Sequence, residues 1–187
     1  DKSLVNAGGS AAKSGTLEMK QYTSGEMMRT RNFYLLLATM FFGLISYFMV
    51  SPVSQTYQID LGIPSAVAVS AVMLGSIVNA GARLVLPTLA DKVGRIVCIK
   101  GVLIVAVIAM GVLAVSRSLA VTVAVVLMYG CYGGIMGSFP SLTSSIFGMK
   151  HTGENYGFVM FGIVFATFGA PAISGLVSSK GYEMNVV

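Results

Sequence analysis

Long apolar runs with few or no charges alternate along the chain with short polar clusters, and that alternation predicts its elements. Five runs stand out, at residues 32–53, about 64–89, 96–115, 119–139 and 155–178. Each is close to the roughly 20 residues an α-helix needs to cross a hydrocarbon layer about 30 Å thick. No soluble core of this size calls for several such runs, so the expected fold is all-α, an integral membrane protein with five transmembrane helices. Residues 1–31 are expected to form a linker or tail, 32–178 the bundle and 179–187 a second short tail. Pro52 weakens the first helix, residues 55–60 make a polar exit, Pro64 suits the first turn of the second helix, and Pro140 is expected to end the fourth.

Composition agrees with this reading. Hydrophobic residues make up 55% of the 187 and charged ones only 10%, against roughly 25% charged for a soluble domain. The 22 glycines suit tightly packed membrane helices, whose backbones approach through small residues. Residues 1–20 carry too few large apolar side chains for a core and are expected to be flexible, whereas Met27 and Met28 among the charges of 21–31 suit a short interfacial helix. Cys98 and Cys131 have no metal-ligand spacing and are expected to pack as small hydrophobes.

Charge placement sets the expected orientation. Lys2, Lys13, Lys20, Arg29, Arg31, Lys92, Arg95, Lys100 and Lys150 fall on one side of the five spans, and only Arg117 and Lys180 on the other. Nine against two puts the N-terminus in the cytoplasm, most simply of a cell whose plasma membrane holds the protein, and the C-terminus outside.

The second span carries the chemistry. Arg83 lies inside it, and a charge at mid-bilayer costs about 2.5–3.5 kcal/mol on insertion scales. Ser76, Asn79 and Arg83 recur at three- and four-residue steps and share one helix face, with Gly75 beside them. A planar guanidinium stays protonated and donates two parallel hydrogen bonds, which suits a carboxylate. Pro87, four residues on, frees the carbonyl of Arg83 and is expected to kink the helix. The alternative is that Arg83 snorkels to headgroups two turns or so away. Beyond it, residues 90–95 read as a tight turn in which Gly94 permits the sharp backbone, Asp91 caps the third helix, and Lys92 and Arg95 meet acidic groups or headgroups.

Asn79-Ala80-Gly81-Ala82-Arg83 followed by Asp91-Lys92-Val93-Gly94-Arg95 resembles the major facilitator superfamily, in which a G-x-x-x-D-R/K-x-G-R signature joins the second and third helices of each six-helix half. Here Pro87 stands at the leading glycine, and Ile96 where a further base is common. Residues 22–30 with Phe33-Tyr34-Leu35-Leu36, the Asn79/Arg83 pair, Phe147-Gly148 and Asn155-Tyr156-Gly157 are similar to the oxalate/formate antiporter family and related monocarboxylate transporters. The resemblance implies that the five spans are helices seven to eleven of such a transporter. Its partners would be the lipid bilayer, an N-terminal six-helix half and a last helix absent from this chain, and a small organic anion, with no cofactor and no nucleic acid. It further implies substrate contacts from Arg83, Asn79 and Ser76, cavity-lining aromatics at Tyr132 and Phe139, and a gating role for Asp91, Lys92, Gly94 and Arg95.

Two observations refine the expectation. Gly130/Gly134 and Gly133/Gly137 at four-residue steps read as close helix packing, with hinge bending as the alternative. The fifth span has no charge, whereas oxalate-transporting relatives carry a lysine near the position of Ile163, so a lone arginine suits a monoanion. Transport of a small monocarboxylate leads, ahead of a dicarboxylate antiporter and of a non-transporting bundle such as a sensor. An enzyme ranks last, because no catalytic cluster lies at membrane depth and His151 reads as a solvated loop residue, with Asp60 and Glu154 at the surface.

Overall fold

The computed structural model describes residues 20–179, with side chains to Leu176; of the two expected tails, residues 1–19 and 180–187 lie outside them, whereas residues 20–31 are described and carry a short helix. Among the described residues the fold is all-helical: α1 (Ser24–Met27), α2 (Arg31–Val50), α3 (Ser54–Asp60), α4 (Ser65–Val93), α5 (Arg95–Val115), α6 (Ala120–Phe147), α7 (Thr152–Val159) and α8 (Phe161–Ser179). Five spans are long and apolar enough to cross a membrane, formed by α2, α4, α5, α6 and by α7 running on into α8. They match the five expected runs.

The boundaries differ in an instructive way. Neither Pro87 nor Pro140 ends its helix: α4 runs on to Val93 and α6 to Phe147. A proline in a membrane helix frees one carbonyl, and nearby hydroxyls and packed neighbours hold the turn together. After Pro140, Thr143 Oγ1 donates to the Phe139 carbonyl (2.8 Å) and Ser144 Oγ to that of Ser141 (2.9 Å), while Leu142 and Thr143 are buried. The polar exit at 55–60 is the helix α3, whose Gln58 is fully buried and fully used. Gln58 Nε2 donates to the Ser54 carbonyl, and Gln58 Oε1 accepts from Thr122 Oγ1 of α6, both at 2.9 Å.

α1 is the short helix expected within residues 21–31, and it is tied to the bundle. A capping box closes it, with the Thr23 N–H and hydroxyl both donating to Glu26 and holding that carboxyl below the usual carboxylate range. Met27 then plugs into the core. Ahead of it, the Tyr22 N–H donates to the Phe147 carbonyl (2.9 Å), and Asn155, fully buried, donates to the Tyr22 carbonyl (3.0 Å) and accepts from Ser24 Oγ (3.2 Å). The segment before α2 is thereby clamped to the α6–α7 connection.

The hub is α6: 56% of its most apolar window is buried, against 11% for α4. α6 meets α4 along a ladder of four glycines. Gly130 faces Val78 and Gly134 faces Leu86, while Gly133 lies on the Asn79 backbone and Gly137 on that of Arg83. A Cβ at Gly137 would stand 2.6 Å from the Arg83 carbonyl oxygen, and one at Gly133 would overlap the Asn79 carbonyl. The close-packing reading of these glycines is the one the geometry supports.

Backbone cannot swing aside as a flexible side chain can. Gly133→Ala and Gly137→Ala are therefore each expected to lower bundle stability by about 1–3 kcal/mol, the usual range for overpacking. Gly111→Ala, where a Cβ meets nothing within 4 Å, should be neutral or slightly stabilising. Detergent unfolding titrations of the three variants provide the check, and equal midpoints would show that the seam is loose.

Candidate functional site

Asn79 and Arg83 stand one turn apart on α4, in the turn that rests on Gly133 and Gly137. Arg83 Nε donates to Asn79 Oδ1 (3.2 Å), which fixes the plane of the guanidinium. Its two terminal nitrogens have no protein partner among the described residues, and the side chain is exposed. Because α4 continues to Val93, Arg83 lies ten residues, about 15 Å, from the helix end. Arg83 thus stands farther from the end of its helix than the two turns or so counted from an end near Leu89. Pro87 leaves the Arg83 carbonyl without its helical donor, and Gly137 of α6 packs closely against that carbonyl.

An aromatic wall stands beside the guanidinium. Arg83 Cζ lies 5.7 Å from the ring centre of Tyr132, within the range of a cation–π contact. Tyr132 stacks on Tyr47 of α2, with centroids 4.2 Å apart and 18° between planes. Tyr47 meets the Tyr129 ring edge-on (5.2 Å), and the Tyr129 hydroxyl shares a 3.2 Å hydrogen bond with Ser51 Oγ at the end of α2. Tyr156 of α7 also comes within electrostatic reach of both Arg83 and Tyr132. α4 thus supplies the cation, Tyr132 of α6 stands against it, and Tyr47 of α2 backs that ring.

The expected residues divide. Arg83, Asn79 and Tyr132 come together. Ser76 shares their face one turn on, but its hydroxyl donates back to the Val72 carbonyl (2.9 Å) and does not touch the arginine. Phe139 is fully buried and belongs to the core. Tyr47 and Tyr156 were not anticipated. Tyr156 had a signal, its place in Asn155-Tyr156-Gly157, whereas nothing along the chain says which way Tyr47 faces.

At the far end of α4 only Gly94 leaves helical geometry, with φ +106°, so residues 90–93 are helix and not turn. Asp91 does not cap α5, which has no side-chain cap; it pairs instead with Arg95 (Oδ1–Nη2 3.1 Å), one turn on and partly exposed. Such a pair contributes about 0–1 kcal/mol. His151 Nδ1 lies 4.0 Å from Glu154, which also accepts from Ser24 Oγ (3.2 Å) in the α1 clamp.

Fold and site together define a multi-pass helical membrane protein with one guanidinium deep on a polar, aromatic-framed face. The chain belongs to the Major Facilitator Superfamily, whose sequence pattern matches residues 5–171. It is 32% identical over 146 residues to the "Uncharacterized MFS-type transporter YhjX" of Escherichia coli (strain K12), an alignment covering 76% of this chain and 36% of that one. It is 28% identical over 142 residues to the "Oxalate:formate antiporter" of Oxalobacter formigenes, covering 74% and 34%. The chain thus spans about a third of the length of these relatives.

Cysteines placed at Asn79 and Arg83, in a background with Cys98→Ala and Cys131→Ala, are expected to react with a water-soluble thiol reagent in membranes. One placed at Val107, 72% exposed on α5, should stay unmodified because it faces hydrocarbon. Equal labelling at the three positions would mean that the Arg83 face is no aqueous path.

Proposed function

We propose that this chain is the C-terminal part, helices seven to eleven, of a secondary transporter that moves small monocarboxylates such as formate, lactate or pyruvate. Rocking of two halves around a midplane site would expose the anion to each side in turn. The observation that carries the reading is the arginine fork: Nε is engaged by Asn79, and the two terminal nitrogens are free for the two oxygens of one carboxylate. Asn79 orients the fork, and Tyr132 and Tyr156 offer rings to a short apolar body and hydroxyls to its polar end. An N-terminal six-helix half and a twelfth helix would complete the cavity. The N-terminus would lie in the cytoplasm of a cell with the protein in its plasma membrane. Asp91, Lys92, Gly94 and Arg95 would hold one access state, and coupling would be by proton symport or anion exchange. Transport, not catalysis, is the role that these residues suit.

A dicarboxylate such as oxalate is the second reading, favoured by the printed name of the 28%-identical relative. Against it, Phe161–Ser179 contains no Lys or Arg to meet a second carboxylate, and Ile163 packs against the core. A sensor or structural subunit would need a partner for Arg83. No acidic side chain pairs with it among the described residues.

Substrate-induced thermal stabilisation of the full-length protein tests the site. Arg83→Ala should abolish stabilisation by formate and lactate, since a charge-assisted bond is worth about 1.5–3 kcal/mol, and Arg83→Lys should weaken it by losing the fork. Asn79→Ala should cost less, about 0.5–1.5 kcal/mol. Wild-type stabilisation of Arg83→Ala by every monocarboxylate bound by the parent would place the site elsewhere. Stabilisation by oxalate alone would select the second reading.

In uptake by proteoliposomes, Asp91→Asn should slow turnover more than it weakens affinity. Collapsed binding with normal cycling would remove the gating role.

A further inference from the structure

Asn79 holds Arg83 at one atom, Nε, through the 3.2 Å bond to Asn79 Oδ1. That bond orients the plane of the guanidinium but leaves it free to rock within the plane, so a second contact must aim its terminal nitrogens. The second contact is the Tyr132 ring, whose centre lies 5.7 Å from Arg83 Cζ. That ring is in turn held from α2. Tyr47 stacks on one of its faces, 4.2 Å away and 18° from parallel, and Phe48 meets it edge-on at 5.9 Å and 80°. A stacked ring so close leaves no room for a guanidinium, so Tyr132 turns its other face to Arg83.

Tyr47 is itself braced. The Tyr129 ring meets it edge-on at 5.2 Å and 81°, and the Tyr129 hydroxyl shares a 3.2 Å hydrogen bond with Ser51 Oγ. Tyr129 rests on α4, where a Cβ at Gly75 would stand 3.0 Å from its ring. The rings thus run from α4 at Gly75, through α6 and α2, back to α4 at Arg83. Beyond Arg31 at its start, α2 carries no charge, so it brings rings to the site and no ion. We propose that Tyr47 is a positioning residue for the transported anion. It does not touch the carboxylate; it sets the direction of the Arg83 fork by holding the Tyr132 ring against it. The ring of Tyr47 does this, and its hydroxyl plays no part. The inference rests on the carboxylate reading of Arg83.

Formate binding to the full-length protein, read by calorimetry as affinity and stoichiometry, tests this. Tyr47→Phe keeps the stack and should bind within about twofold of the wild type, the spread of sites that do not interact. Tyr47→Leu should bind about fivefold more weakly at unchanged stoichiometry, the size of one lost aromatic pair. Tyr132→Leu should bind about tenfold more weakly. Tyr47→Leu/Tyr132→Leu should stay within about twofold of Tyr132→Leu alone, because a residue that acts through another adds nothing once that other is gone. Tyr47→Met, which fills the space without a plane to stack, makes the same comparison if Tyr47→Leu fails to fold. Additive losses in the double variant, or equal losses in Tyr47→Phe and Tyr47→Leu, would overturn the proposal. So would a reduced stoichiometry at wild-type affinity, which is the mark of packing alone. Arg83→Ala separates the two levels. Undiminished formate binding there overturns the carboxylate reading and this inference with it. Lost binding there, beside wild-type affinity in Tyr47→Leu, overturns this inference alone.

Discussion

The approach of α4 to α6 is the constraint on which the rest of the structure depends. Four α6 residues without side chains let the α4 backbone settle onto α6 at Asn79 and Arg83, the turn that carries the polar chemistry. In hydrocarbon there is little hydrophobic drive between helices, so contact through small residues does a larger share of the joining. Pro87 fits this arrangement, because the carbonyl it frees is the one that Gly137 approaches. Arg83 reaches the Tyr132 ring of α6, which stacks on Tyr47 of α2.

The aromatic chain gives the cation its second support. From Arg83 it runs through Tyr132, Tyr47 and Tyr129 to Ser51, so the guanidinium, the middle of α6 and the far end of α2 are physically connected. The opposite end of α2 is held independently. There Tyr22 and Ser24 bind Phe147 and Asn155 through backbone and amide hydrogen bonds, with Met27 sealed beneath. Buried polar groups such as Asn155 and Gln58 are expensive unless satisfied, and both are satisfied across helices, which makes each a specific lock between elements.

How much of this was legible in the sequence follows from what each signal measures. Spans were legible because charge is nearly excluded from hydrocarbon, and so was Arg83, as the exception to that rule. The glycine ladder was legible as spacing, since four-residue steps on a helix have one geometric meaning. Helix ends were not. Pro87 and Pro140 are strong breakers in water, but in a packed membrane helix their neighbours compensate, so the Asp91 cap and the loop after Phe139 both dissolved into longer helices. Phe139 is buried for a related reason: it lies on the packed side of the hub helix, whose other side leaves Val123 and Leu127 exposed. Tyr47 needed the rotation of α2 against α6, which a uniformly apolar helix does not record.

If the proposed anion site is right, the glycine seam sets the position at which Arg83 meets the carboxylate. A double-mutant cycle in formate affinity, read by calorimetry on Gly137→Ala, Arg83→Lys and the double variant of the full-length protein, measures that coupling. Gly137→Ala should weaken binding although Arg83 is intact. The double variant should then bind about as well as Arg83→Lys alone, leaving a coupling energy of about 0.5–3 kcal/mol. Additive losses, or an undiminished affinity in Gly137→Ala, would show that the seam does not position Arg83.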